Sequence, residues 1–307
     1  MVGRAAALME INTRGDRGGI VRGAGGVAMF KLLLTILAVL VVAGAVVLVG
    51  AYLRLSAEIT SDIDRLLAAA DTAPGPVVTA AMLAGLPEPA RRYFTHAGVI
   101  GRAIPRTVRL TQSGRIRASS EADWMALEAE EVYSVSPPAF VWRTWLPKAA
   151  LPIALGRDAY LEGEGSILIK LLALFPVADE RGEELREAGL MRFLNEMVWF
   201  PAALLGPAVR IEADGPDSFV ATLSDRGLEA TATFFVDPQG RLTNFRARRY
   251  NTGTRSIETW ETPMAAYGSF AGLQLPVKGS AVWRLPDGDL TYIEIDITSL
   301  QYDGGQE

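Results

Sequence analysis

The chain has 307 residues, 50% hydrophobic and 21% charged, with a net charge of −5, one histidine and no cysteine. The missing cysteine excludes disulfides, thiolate metal sites and cysteine nucleophiles, and a lone His96 excludes a multi-histidine metal centre. Part of the apolar content is gathered near the N-terminus, which points to a globular domain plus an anchor.

Residues 1–29 are rich in Gly and Arg without apolar periodicity and are expected to form a disordered tail. Met29-Phe30-Lys31 also has the form of a conventional short basic start. The next segment, residues 30–53, contains an uncharged run from Leu32 to Leu53 in which Leu, Ile and Val fill most positions. At 1.5 Å per residue such a run matches a hydrocarbon core of about 30 Å, so it reads as a single transmembrane helix. The other reading is a signal peptide cleaved after Ala43-Gly44-Ala45, but the apolar run continues through Val46 to Val49, which suits an uncleaved anchor. Arg4, Arg14, Arg17, Arg22 and Lys31 precede the helix, whereas Arg54 and Arg65 are the basic residues soon after it. That asymmetry predicts a cytoplasmic N-terminus and an exported C-terminal domain.

Beyond Leu53 there are 25 Lys plus Arg against 33 Asp plus Glu. An acidic domain repels polyanions, so nucleic acid is not an expected partner. Residues 54–85 are read as a juxtamembrane helix, Ser56 to Ala70 with Ser61 able to cap it, followed by a linker that breaks at Ala73-Pro74-Gly75-Pro76. A short helix is predicted from Pro87 to Gly98, with Pro in the first turn and Gly as left-handed cap; His96 falls in its last turn, where it meets the negative end of the helix dipole.

From Arg106 onwards, β-branched and aromatic runs recur between turn signals, with about ten to twelve strands expected. Asp214-Gly215-Pro216-Asp217, Asp225-Arg226-Gly227, Asp237-Pro238-Gln239-Gly240 and Pro286-Asp287-Gly288-Asp289 each supply the residues a tight turn needs. In Tyr292 to Ser299, strict alternation puts Ile293, Ile295 and Ile297 on a core face and Tyr292, Glu294 and Asp296 on the other. In Thr243 to Tyr250, Phe245 and Ala247 oppose Asn244, Arg246, Arg248 and Tyr250. One helix interrupts the strands: Leu185, Leu190, Phe193, Leu194, Met197 and Val198 follow a 3.6-residue period within Gly182 to Trp199, and Pro201 ends it. The fold class is therefore mainly β (α+β): residues 86–303 form a large curved antiparallel sheet or half-barrel wrapped around one amphipathic helix.

The candidate ligand-binding residues fall in three groups. Asn195 and Trp199, four residues apart on the helix, and Glu196 beside them can orient a ligand; equally, Arg192 and Glu196 can pair at the surface while Trp199 fills core. Arg246, Arg248 and Tyr250 form either an anion-binding row or the wet side of a strand. Among six tryptophans, Trp142 and Trp260 are candidates to line an apolar cavity, as aromatics on a concave sheet can. Glu294 and Asp296, roughly 7 Å apart on one face, have the separation of an inverting glycosidase pair and also the pattern of a solvated sheet face. There is no Gly-rich phosphate loop, nucleophile elbow or metal motif, so no cofactor is expected.

Leu86-Pro87-Glu88-Pro89 before Arg92-Tyr93, then Arg157-Asp158-Ala159-Tyr160, Leu194 to Leu204 and Trp283 to Asp303 together resemble a family of bacterial membrane-anchored proteins known as a domain of unknown function. The resemblance covers residues 86 to 303 and implies no activity or catalytic residues. At the level of fold, the expected arrangement is similar to the half-barrel of periplasmic lipoprotein carriers and related lipid-binding proteins. Such carriers are released or lipidated, whereas this chain has an apolar run and no lipidation cysteine. The leading expectation is a tethered extracytoplasmic module that binds an apolar or lipid-like molecule between sheet and helix. The alternatives are an envelope hydrolase using Glu294 and Asp296 or Glu196, and a structural partner of another membrane protein.

Overall fold

The computed structural model describes residues 23–148 and 151–305. The chain separates into two units at Val49 and Gly50. Helix α1 runs from Gly23 to Ala69 and so belongs to both. From Ala28 it is long and apolar enough to cross a membrane, and its most apolar window is not buried against protein. The tail expected over residues 1–22 lies outside the described residues, while residues 23–29 are helical. The separate helix expected from Ser56 is instead the end of α1. No proline or turn residue stands between Leu53 and Ser61, so nothing interrupts the ladder of backbone hydrogen bonds, and Ser61 lies mid-helix rather than at a cap.

Within the second unit, the end of α1 is amphipathic. Leu55, Ile59, Ile63 and Leu66 share one face and are buried against Val132, Val141, Leu155 and Ala159. Polar contacts flank this stripe: Trp145 Nε1 donates to the Tyr52 hydroxyl at 3.1 Å, Arg143 to Thr60 Oγ1 at 2.7 Å, and Arg157 pairs with Asp62. The chain then passes helix α2 (Ala80–Ala84) and helix α3 (Glu88–Ala97). Helix α3 begins after Pro87 and stops at Gly98, whose φ of 77° is the left-handed cap the sequence predicts.

Fourteen strands follow among the described residues: β1 (Thr107–Ile116), β2 (Met125–Ser134), β3 (Ala139–Lys148), β4 (Leu151–Leu161), β5 (Glu164–Leu171), β6 (Phe175–Arg181), β7 (Val209–Gly215), β8 (Ser218–Asp225), β9 (Leu228–Val236), β10 (Leu242–Asn251), β11 (Ser256–Glu261), β12 (Met264–Phe270), β13 (Leu273–Leu285) and β14 (Gly288–Tyr302). They make one antiparallel sheet in the order β6-β5-β4-β3-β2-β1-β14-β13-β11-β10-β9-β8-β7, with β12 pairing β13 beside that path. Each of the four turn motifs lies between consecutive strands. The strand count exceeds the expected ten to twelve because the segments flanking Gly163 and Leu172–Leu174 each fold back as a hairpin.

Helix α4 (Glu183–Glu196), continued by 3-10 turns at Met197–Trp199 and Pro201–Leu205, lies against the inner face of the sheet, touching β4, β5, β9 and β10. Its predicted apolar stripe is buried. Asn195 and Glu196 are buried as well, so the sheet encloses more of the helix than that stripe. Gly189 permits this closeness, since a Cβ there would press on the Tyr160 ring. Across the inner face, aromatic side chains form a continuous row. Phe219, Phe234, Phe245, Trp260, Trp283 and Tyr292 follow one another with ring centres 5.0 to 6.3 Å apart, a spacing at which aromatic pairs attract.

Candidate ligand site between sheet and helix

Between α4 and the β13–β14 region the inner face does not close. A partly open cavity of about 520 Å³ remains, within the range of about 300–1,000 Å³ usual for small-molecule sites. Its apolar wall is built by β13 and β14, with Leu290, Ile293, Ile295 and Ile297 beside the indoles of Trp260 and Trp283. Strict alternation could not give this wall. Ala281 opposes Ile293 while Val282 opposes Thr291, so Tyr292 is an extra residue; Thr111 opposes Ser299 while Gln112 opposes Ile297, so Thr298 is another. Each bulge resets the phase of the strand. Leu290, Tyr292, Ile293, Ile295 and Ile297 consequently all line the cavity, and Tyr292, expected on the opposite face, hydrogen-bonds Trp260 Nε1 at 3.2 Å.

Glu294 and Asp296 lie on the other face, where Arg115 holds Glu294 at 2.7 Å and Lys278 holds Asp296 at 2.7 Å. The solvated-face reading of this pair is the one the structure bears out, and the two carboxylates do not reach the cavity.

Of the sequence candidates, Asn195, Glu196, Trp199, Trp142, Trp260 and Tyr250 all line the cavity. Arg246 and Arg248 do not. They point outward from β10, where Arg246 pairs with Glu261 at 2.6 Å and Arg248 bonds Thr259 Oγ1 at 3.3 Å. Alternation from buried Phe245 and Ala247 turns Arg246 and Arg248 to solvent and carries Arg249 inward, but it does not account for Tyr250, which has the parity of the two outward arginines and still lines the cavity. Several candidates are already engaged with protein. Asn195 Nδ2 donates to Thr262 Oγ1 at 2.7 Å, and Trp199 Nε1 to the Pro276 carbonyl at 3.1 Å. Of the other tryptophans, Trp283 lines the cavity, Trp145 faces α1, and Trp124 lies between the guanidinia of Arg115 and Arg117.

The polar end of the cavity is a charge cluster. Arg192 and Glu196, which could have paired at the surface, pair in the interior at 2.7 Å, and Arg192 also reaches Asp158 at 2.7 Å and fully buried Glu131 at 2.9 Å. The Arg192 guanidinium lies 4.9 Å from the ring centres of both Phe140 and Trp142. Tyr133 donates to Glu196 at 3.3 Å, and Trp142 Nε1 to Gln112 Oε1 at 2.9 Å. Three acidic side chains share one arginine, and burial works against ionisation of two of them. It pushes the Glu131 carboxyl well above the usual carboxylate range, against the pull of Arg192, and raises Glu196 in the same way.

Sequence reasoning passed over Arg249, Glu131, Asp158 and Gln112. Arg249 was legible from the alternation of its own strand. The other three were not, because Glu131 and Asp158 lie 61 and 34 residues from Arg192 in the chain.

The chain belongs to a family of unknown function, DUF6544, which matches residues 76–295. No curated protein matches it. Among solved structures, it is similar to a LolA superfamily protein from Nitrosomonas europaea, with 9% identity and a TM-score of 0.39 over 75% of this chain and 96% of the other. The Mycobacterium tuberculosis lipoprotein LppX matches with 13% identity and a TM-score of 0.24, over 74% of this chain and 97% of that one. A β-barrel-like protein of domain of unknown function DUF1849 from Brucella abortus matches with 10% identity and a TM-score of 0.23, over 64% and 98%.

Proposed function

We propose that this domain is a membrane-tethered, extracytoplasmic module that binds an apolar, lipid-like molecule in the cavity between sheet and helix α4. The observation that carries the reading is the isoleucine and indole wall of a cavity of about 520 Å³. Such a surface gains by excluding water, at about 25 cal/mol per Å² of apolar area covered. The charge pattern around Leu32 to Leu53 supports a cytoplasmic N-terminus and an exported domain.

Trp145, which bonds Tyr52, opposes Glu128, and Glu128 opposes Ser113. Ile116, Leu285 and Leu290, all cavity residues, lie beyond that row toward the β13–β14 turn. Tyr52 follows the apolar stretch ending at Val49 by three residues. Part of the cavity lining is thus at the end of the sheet that Tyr52 meets.

Glu196 lines the cavity, but Arg192 and Tyr133 occupy its two oxygens, which favours a structural role over acid-base work. Full-length protein extracted gently and weighed by native mass spectrometry is expected to carry an amphiphile that organic solvent releases. Protein that is empty after extraction and takes up no acyl-chain compound would contradict the proposal.

A further inference from the structure

The cavity contains a cation with no carboxylate of its own. Arg249 projects inward from β10, and its Nε donates to the Ala188 carbonyl at 3.1 Å. Its guanidinium lies 4.7 Å from the centre of the Trp260 ring and 5.8 Å from that of Trp283. The other three arginines that line the cavity have a fixed use: Arg192 is held by Glu131, Asp158 and Glu196, Arg157 by Asp62, and Arg117 by the Thr291 and Ser120 carbonyls and the Trp124 ring. Among the described residues, no ion pair reaches Arg249. Burial lowers its pKa, with Arg192 adding repulsion and Asp158, Glu196 and Tyr292 attraction, yet an arginine stays charged in any such setting. A part-buried guanidinium that is stacked on indoles and bonded through one nitrogen keeps a fork of donors for a planar or tetrahedral anion.

We infer that Arg249 receives the anionic head of the ligand, a carboxylate or a phosphate, while its apolar chain lies along Ile293, Ile295 and Ile297. This rests on the proposed ligand-binding function and adds the class: a singly headed acidic amphiphile, rather than a neutral lipid. The geometry divides the labour. The indoles of Trp260 and Trp283 fix the guanidinium plane, the Ala188 carbonyl fixes its rotation, and the isoleucine wall accepts the tail. Asp158 and Glu196 do not compete for the fork, because both are bound to Arg192.

The test uses full-length protein in detergent and the fluorescence of the cavity indoles. Bromine-labelled hexadecanoic acid, hexadecyl phosphate and hexadecanol are titrated separately, and quenching reports occupancy. Losing one charge-assisted hydrogen-bonded contact predicts that the alcohol binds about tenfold more weakly than whichever acid is preferred. Arg249→Met, which keeps a long side chain over the indoles, should remove that preference, so that acid and alcohol quench at equal concentrations. Comparison of the two acids assigns the head as carboxylate or phosphate. If the wild-type protein binds acid and alcohol equally, the role of Arg249 is overturned and lipid binding stands. If none of the three quenches, lipid binding itself fails. Should Arg249→Met not fold, the wild-type ratio alone decides, with Arg249→Lys expected to retain part of the preference.

Discussion

Arg192 concentrates the electrostatic stakes of the domain in one side chain. It pairs with three acidic side chains in the interior, and removing it leaves them without their cation. Arg192→Met is expected to cost about 3–5 kcal/mol, read as a lower denaturant midpoint for the full-length protein; a loss under about 1 kcal/mol, the scale of a surface pair, would show that the cluster is not structural. Glu131 makes the opposite prediction. Its folded pKa is raised, mainly by burial, so its contribution to stability is present below its unfolded pKa and is lost as pH rises through the folded one. Glu131→Gln copies the protonated form and removes that loss. The variant should gain on wild type as pH is raised from mildly acidic to mildly alkaline, and parallel melting curves at both ends of that range would refute the assignment. Little of this was legible beforehand. Arg192 and Glu196 were readable as an i,i+4 pair, but burial converts a surface pair into a cluster, and burial depends on strands far away in sequence. Arg249 could have been found, since Phe245 and Ala247 already define the inner face of β10.

At the level of elements, sequence patterns located the pieces better than their junctions. The helix over Glu183–Glu196, the cap at Gly98 and the four hairpin turns follow from period and turn chemistry. The phase of β14 does not, because a bulge is decided by what the neighbouring strands require, and Tyr292 changes face for that reason. Likewise, the stripe of Leu55, Ile59, Ile63 and Leu66 announces an amphipathic helix without saying which surface it covers. It covers the outer face of β2, β3 and β4, so that part of the sheet has apolar packing on both sides. Ile59 is almost fully buried there, and Ile59→Ala should cost about 2–5 kcal/mol. An unchanged melting temperature would mean that the end of α1 is not packed on the sheet in solution.

The hairpin between β5 and β6 extends the same logic to the molecule as a whole. Leu172, Leu174, Phe175 and Val177 are exposed at its tip, while Ala173 is buried in the cluster that contains Leu55. A contiguous exposed apolar tip marks a surface that meets another apolar phase. The chain has no cysteine, so single thiols can be placed cleanly. In proteoliposomes a solvent-sensitive dye on Phe175→Cys should emit further to the blue than the same dye on Glu162→Cys, just past the far end of β4. Equal emission from both positions would place the tip in water.

The same approach gives the most direct test of the central claim, that the space between sheet and helix holds a ligand. Ile295 lines the cavity and its neighbour Glu294 lies on the opposite face of the same strand. Thiols introduced by Ile295→Cys and by Glu294→Cys, in separate full-length proteins, are alkylated with and without saturating hexadecanoic acid. The account predicts that ligand slows alkylation of the Ile295→Cys thiol about tenfold or more, the occupancy effect expected well above Kd, and leaves the Glu294→Cys thiol unchanged. Equal rates with and without ligand at Ile295→Cys, or equal protection at both positions, would contradict it.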